Sequence, residues 1–230
     1  MIPSHDPVTV QAAQGHGVCA VRDILRAVIL LCVVVAGIPS AWAGTDRSPV
    51  VTSLLELRQH NVTVQEWDLS CGAATLTTLL NQQHDDPVTE REVALGLMTR
   101  TEYVENPQLV QLREGFSLLD LKRFVEGRGY KGIGLGKLDL DALMERAPVI
   151  VPIKTKGYNH FVIFRGMAGN RVLLADPAWG NRTMLVSRFR DSWIDYPKVG
   201  HVGFIVALAS GEQAAPNHLA PRADEFLFLR

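Results

Sequence analysis

Cysteine is scarce in this sequence, with 3 in 230 residues, at positions 19, 32 and 71. So few thiols exclude a disulfide-stapled mini-domain and any Cys-x-x-Cys zinc or iron–sulfur framework. No group of His, Cys, Asp and Glu has ligand spacing either, so no metal and no other cofactor is expected. An excess of one charge is also missing: 23 Lys and Arg face 24 Asp and Glu. That balance leaves no electrostatic footprint for nucleic acid. No Walker sequence occurs, because Gly136-Lys137 is followed by Leu138, and no ATP site is expected. Gly127-x-Gly129-x-x-Gly132 matches a dinucleotide-binding pattern. It follows a helical stretch and leads into an alternating one, the reverse of the order that motif needs, and reads as a helix stop before a strand.

What is present is an apolar fraction of 47% over a length that suits a single domain with a sizeable core. Residues 22–43 carry a secretory-signal pattern. Arg22 and Arg26 precede the apolar run from Ala27 to Gly37, and Ala41-Trp42-Ala43 supplies the small residues of a cleavage site before Gly44. The run is well short of the ~20 residues that span a bilayer, so cleavage near Ala43 and a periplasmic location are expected. Residues 1–21 make a long leader, and the start codon is expected further downstream. The domain plan is then a signal peptide over 1–43, a domain over 44–210, and an Ala/Pro-rich tail over 211–230, expected to be loose apart from a docking segment at Phe226-Leu227-Phe228-Leu229.

Removal of the leader leaves Cys71 as the lone thiol of the exported chain. It stands where the acidic stretch Gln65-Glu66-Trp67-Asp68 gives way to apolar residues at helical spacing, Ala73, Ala74, Leu76, Leu79 and Leu80. A helix N-terminus favours a thiolate over a thiol, through its unpaired N–H groups and its dipole. A thiolate is the form that covalent catalysis uses. A free cysteine among alanines and leucines can equally be a small buried hydrophobe, so the partners decide.

The Cys71 helix is expected to end near Asn81 or Gln83. Thr89 with Glu92 forms a capping box that opens a helix through Met98. Ser117 caps another, stopping at Gly127 or Gly129, and Asp139 or Asp141 caps a short one through Arg146. Residues 99–115 show no clean period. From residue 149 the pattern turns to β, with runs over 149–153, 160–165, 171–175, 183–186 and 202–208. Helices first and an antiparallel sheet second is an α+β arrangement.

His160 opens one of these strands after an expected polar loop over 154–159, and Asp176-Pro177 ends the next. If the two strands pair as a hairpin, Asp176 lies beside His160 and can fix its tautomer and support its cation. Asp176 also reads as a plain turn former. Gln65, six residues before Cys71, is a surface glutamine or an oxyanion donor; spacing does not choose.

Gln65, Asp68, Ser70-Cys71-Gly72-Ala73-Ala74-Thr75-Leu76, Gly115-Phe116-Ser117-Leu118-Leu119-Asp120-Leu121, Asn159-His160-Phe161-Val162 and Asp176-Pro177 together resemble the C39 cysteine peptidases, papain-like proteases that remove double-glycine leaders from exported peptides. The resemblance runs from about Gln65 to Phe189. It implies a papain-like fold, with N-terminal helices packed on the antiparallel sheet. It further implies Cys71 as nucleophile, His160 as general base and then acid, Asp176 as orienter and Gln65 as oxyanion donor, acting on a polypeptide after small residues such as Gly-Gly. Ser70 stands where that family usually carries an acidic residue, which bears on substrate preference. With an export signal and no ATP site, the chain is similar to the stand-alone exported members encoded with functional-amyloid secretion systems, which points to secretion-system or membrane-associated partners. Two other readings compete: a leader-binding or chaperone module without turnover, which the intact Cys71, His160 and Asp176 oppose, and a cysteine/histidine cell-wall amidase, which Asp176-Pro177 and Gln65 oppose.

Overall fold

The computed structural model describes residues 52–226. The expected signal peptide over 1–43 lies outside the described residues, as do residues 227–229 of the expected docking segment.

A Ser53–Glu56 capping box starts α1, Leu54–Gln59. Helix α2, Cys71–Gln83, is the most thoroughly buried of the described helices: Cys71 to Leu80 are buried without interruption. Such all-round burial requires small or apolar side chains on every face, which Gly72, Ala73, Ala74 and the threonines supply. Thr78 satisfies its hydroxyl on Ala74 O, 2.9 Å away. Helix α3, Glu90–Met98, starts at the Thr89–Glu92 capping box. The aperiodic stretch that follows forms two one-turn helices, α4 (Thr101–Glu105) and α5 (Gln108–Leu112), each too short to show a repeat. Helix α6, Leu118–Gly127, is capped by Ser117 with Asp120. It lies tight against β1, Lys131–Leu135, where a Cβ on Gly132 would come within 2.8 Å of Lys122 Cα. The glycine pattern at 127–132 therefore ends a helix and admits a close helix–strand approach.

Asp139 caps α7, Leu140–Arg146. Strands β2 (Val149–Thr155), β3 (Tyr158–Ala168), β4 (Arg171–Asp176) and β5 (Gly180–Leu185) follow, then α8 (Val186–Ser192), the short ribbon β6 (Asp195–Tyr196) with β7 (Gly200–His201), and β8 (Gly203–Ala207). Among the described residues, six strands make one antiparallel sheet in the order β1-β8-β2-β3-β4-β5. One face packs Ile150, Ile163, Phe204 and Val206 against Leu76, Leu79, Leu80 and Leu121 of α2 and α6. The other packs Val151, Phe164, Val172 and Leu174 against Leu143 of α7 and Phe189 of α8. Because both faces are covered, β2 and β8 read as unbroken apolar runs rather than alternating ones. The expected N-terminal helices on an antiparallel sheet are present. Helix α8 shows no helical signal in the sequence, where the run over 183–186 reads as strand into its first residue, Val186.

Two features depart from expectation. The polar stretch 154–159 is not a loop: β2 and β3 run on to a two-residue turn at Lys156 and Gly157, both at positive φ (49° and 92°), the geometry of a tight hairpin. The segment from residue 211, expected to be a loose tail, is docked as far as it is described, with Leu219 and Phe226 in the core. Its anchor is Arg165, 2% exposed, which donates to Leu219 O (2.9 Å), Ala220 O (3.0 Å), Asn181 Oδ1 (2.6 Å) and Glu225 Oε2 (2.6 Å). A guanidinium buried in the core demands acceptors for its N–H groups, and the C-terminal carbonyls provide them. No described helix is long and apolar enough to cross a membrane.

Candidate active site

Cys71 is the first residue of α2, preceded by Ser70 as N-cap. The helix comes close to β3 because Gly72 adds no bulk; a Cβ there would touch Phe161 at 3.4 Å. Cys71 and His160, 5% and 3% exposed, line a common cavity. Behind the imidazole, Nε2 donates to Asp176 Oδ1 at 2.7 Å, and Asp176 is fully buried. With Nε2 so engaged, Nδ1 is the nitrogen left for the thiol, and the hydrogen bond and charge of Cys71 act on His160. The structure thus brings Cys71, His160 and Asp176 together.

The β3–β4 hairpin achieves this through an irregularity. From the turn outward the strands pair Ala168 with Arg171, Met167 with Val172 and Gly166 with Leu173. Beyond Arg165 the register slips by one, to Phe164 with Leu174 and Ile163 with Ala175. Arg165 is the extra residue of a β-bulge. Continued without the slip, the ladder would set Asp176 opposite Ile163, on the face away from His160. With it, Asp176 falls opposite Val162, and His160 is its diagonal neighbour on the same face, within reach of a long side chain.

Burial is the largest single influence on His160 and pulls its pKa down. The hydrogen bonds to Asp176 and Cys71 and the charges of both together outweigh it, and the pKa is raised to about 9. Asp176 is pushed up by burial, but His160 and Arg182 hold it below the ordinary carboxylate value. The imidazole therefore carries its proton at neutral pH beside the sulfur. Asp176 is also the turn former: Oδ1 accepts from Ala178 N–H at 2.8 Å, so the two readings of this residue describe one carboxylate.

Gln65 is placed differently. Its backbone N–H donates to Pro177 O at 2.8 Å, tying it to the turn after Asp176, and its side-chain Nε2 donates to Trp67 O at 3.0 Å. It is half-buried and does not line the cavity beside Cys71.

That cavity, about 450 Å³, is walled by Phe116, Leu118 and Leu119, by Pro152 of β2, and by Val199 next to the β6–β7 ribbon. Residues 113–116 form one side, so the end of the unread stretch 99–115 borders the site. Gly115, at φ 118°, passes Leu69 O closely, with a Cβ position only 3.0 Å away. Sequence reasoning also missed Arg182, whose Nε donates to Asp176 Oδ2 at 2.6 Å. Its only signal was its spacing from Asp176 across a short Pro/Gly turn.

A thiol at the start of a buried helix, an imidazole on a facing strand, a carboxylate behind it and helices packed on an antiparallel sheet define a papain-like cysteine peptidase. A family model described as the Peptidase C39 family matches residues 59–197. The chain belongs to that family and is a cysteine peptidase. Two curated relatives, each described as "Probable functional amyloid protease FapD", are 33% identical. The one from Pseudomonas aeruginosa aligns over 159 residues, 68% of this chain and 67% of the relative. The one from Pseudomonas fluorescens aligns over 179 residues, 73% and 76%. Two solved structures share the fold. A double glycine motif protease from an AMS/PCAT transporter, in complex with its leader peptide, is 21% identical with a TM-score of 0.50 over 66% of this chain and 95% of its own. The peptidase domain of Streptococcus ComA, a bi-functional ABC transporter involved in quorum sensing, is 17% identical with a TM-score of 0.51 over 65% and 99%.

Proposed function

We propose that this protein is a periplasmic peptidase that cleaves an exported polypeptide, or a component of its export machinery, after small residues such as a Gly-Gly pair, in support of functional-amyloid secretion. The observation that carries the chemistry is the grouping of Cys71, His160 and Asp176 beside an apolar cavity. The printed description of the Pseudomonas relatives supports the amyloid setting, the leader-bound double-glycine protease supports the cleavage preference, and the pattern of residues 22–43 supports export.

In this reading the Cys71 sulfur attacks the scissile carbonyl carbon. The carbonyl oxygen becomes an oxyanion, met by the Cys71 backbone N–H, which has no partner within the helix. Gln65 gives one Nε2 hydrogen to Trp67 O and does not line the cavity; its second Nε2 hydrogen serves as the further donor once the side chain turns toward Cys71. As the intermediate collapses, the C–N bond breaks and the His160 imidazolium gives its proton to the leaving amine. The acyl group stays on sulfur as a thioester. Neutral His160 then takes a proton from water, the hydroxide attacks the thioester, and the acid product leaves with the thiolate–imidazolium pair restored.

The test is incubation of the purified protein with a peptide library containing Gly-Gly sites, read by mass spectrometry. Cleavage after Gly-Gly or another small pair, absent in Cys71→Ala, is expected. Binding of such peptides without cleavage by the wild type would overturn the proposal in favour of a leader-binding module, and cleavage of cell-wall fragments instead would replace it with an amidase.

A further inference from the structure

Both oxygens of the Asp176 carboxylate are committed. Oδ1 serves His160 and the Ala178 N–H, and Oδ2 accepts from Arg182 Nε at 2.6 Å. The β4–β5 register explains the reach: Asp176 pairs with Gly180, so Arg182, two residues on, is the diagonal neighbour on the same face. His160 is its diagonal neighbour on the β3 side, which sets the carboxylate between two cationic partners. The hairpin that fixes Arg182 tolerates no side chain at Gly180, where φ is 77° and a Cβ would lie 2.2 Å from Arg58 O.

We infer that Arg182 is a positioning residue of this peptidase: it clamps the Asp176 carboxylate by the oxygen that His160 does not use, and its cation limits how firmly that carboxylate holds the imidazolium proton. The inference deepens the assignment of Cys71, His160 and Asp176 and rests on it. A carboxylate held on one side can turn about its last torsion, whereas bonds to both oxygens fix its plane and so the direction of the His160 ring. A cation 2.6 Å from Oδ2 also opposes the field that the carboxylate exerts on the imidazole. The other charged or titratable groups around His160 are Cys71 on α2, the Tyr158 ring on β3 at 6.0 Å, and Arg113, Glu114 and Tyr196, which border the cavity. Arg113 is bonded to Glu102 and Tyr103, and Glu114 accepts from Asn159 N–H, so each is engaged away from the carboxylate.

The experiment is alkylation of Cys71 by iodoacetate across pH in the wild type, Arg182→Gln and Arg182→Lys, with peptidase turnover measured alongside. Iodoacetate is an anion and reacts fastest while the imidazolium stands beside the thiolate, so its alkaline limb reads loss of the His160 proton. For the wild type that limb is expected near 9. In Arg182→Gln it is expected to move up by about half a unit to one unit, with kcat lowered about tenfold or more through loss of alignment. Arg182→Lys keeps the charge and loses the planar fork; its limb is expected to stay with the wild type while kcat falls and KM holds. A Gln variant that loses activity with an unmoved limb would show a merely structural tie and overturn the inference. Should the Gln variant not fold, the Lys variant decides alone, since unchanged kcat there overturns the clamp. A wild type without an alkaline limb would overturn the Cys71–His160 pair itself, a failure distinct from that of Arg182 because it shows before any Arg182 substitution.

Discussion

His160 and Asp176 meet at 2.7 Å as diagonal neighbours across a β-hairpin, and they do so because Arg165 bulges out of the ladder between the turn and the site. The residue that shifts the register is also the one that binds the C-terminal segment. Stability of that segment and geometry of the site are therefore linked through a single side chain.

The first prediction concerns that link. Glu225→Ala removes the carboxylate from the buried Arg165 and leaves an uncompensated cation, at a cost of about 3–5 kcal/mol. Urea denaturation at neutral pH checks it. The expected result is a marked drop in the midpoint, together with lower peptidase activity in the fraction that remains folded.

Removal of the nucleophile separates chemistry from folding. Cys71→Ala is expected to lower turnover at least about a thousandfold with a thermal midpoint close to that of the wild type, because the exchange deletes one sulfur atom from a site edge that borders a cavity. A peptide-cleavage assay beside a thermal melt reads both.

Asp176→Asn keeps an acceptor for His160 Nε2 and removes the charge. The alkaline limb of kcat/KM, set by His160 near 9 in the wild type, is expected to fall toward the ordinary histidine range. This is the opposite direction to Arg182→Gln, and the same pH–rate measurement distinguishes them.

The raised His160 pKa also makes stability depend on pH. The folded state holds the proton up to about 9, the unfolded chain only to about 6.5. The protonated pair therefore contributes fully below about pH 6.5, progressively less between the two values, and nothing above the upper one. The difference in urea midpoint between the wild type and His160→Gln is expected to shrink as pH is raised from about 6 to about 9.5.

Val199 borders the cavity and is half exposed, so Val199→Arg places a bulky charge in the cleft without emptying the core. KM is expected to rise about tenfold with kcat little changed, the pattern of lost ground-state binding. Steady-state kinetics on a peptide cleaved by the wild type provide the check.

Helix ends were legible because capping is local chemistry: Ser117 with Asp120 and Thr89 with Glu92 bond within one turn, and both helices start where those residues stand. Cys71, His160 and Asp176 were legible for a related reason, since a helix start and the two ends of a hairpin are marked by nearby residues. Helices α4 and α5 were not, because one turn displays no period, and α8 was hidden by the β-branched start of its segment. The docked segment after residue 211 escaped because its anchor, Arg165, is a charged residue inside a strand, where sequence gives no reason to expect burial.

The sequence by itself determined which residue types could do the chemistry and roughly which elements carry them, since caps, turns and apolar spacing act over a few residues. Only the tertiary structure decided that Asp176 faces His160 rather than the opposite side of the sheet, that Arg182 grips the carboxylate from behind, that Gln65 is tied to Trp67 and Pro177, and that residues 113–116 wall the cleft. Each of these depends on a register or a contact between segments far apart in the chain. A one-residue slip reverses which face a side chain takes, and no local pattern records that slip.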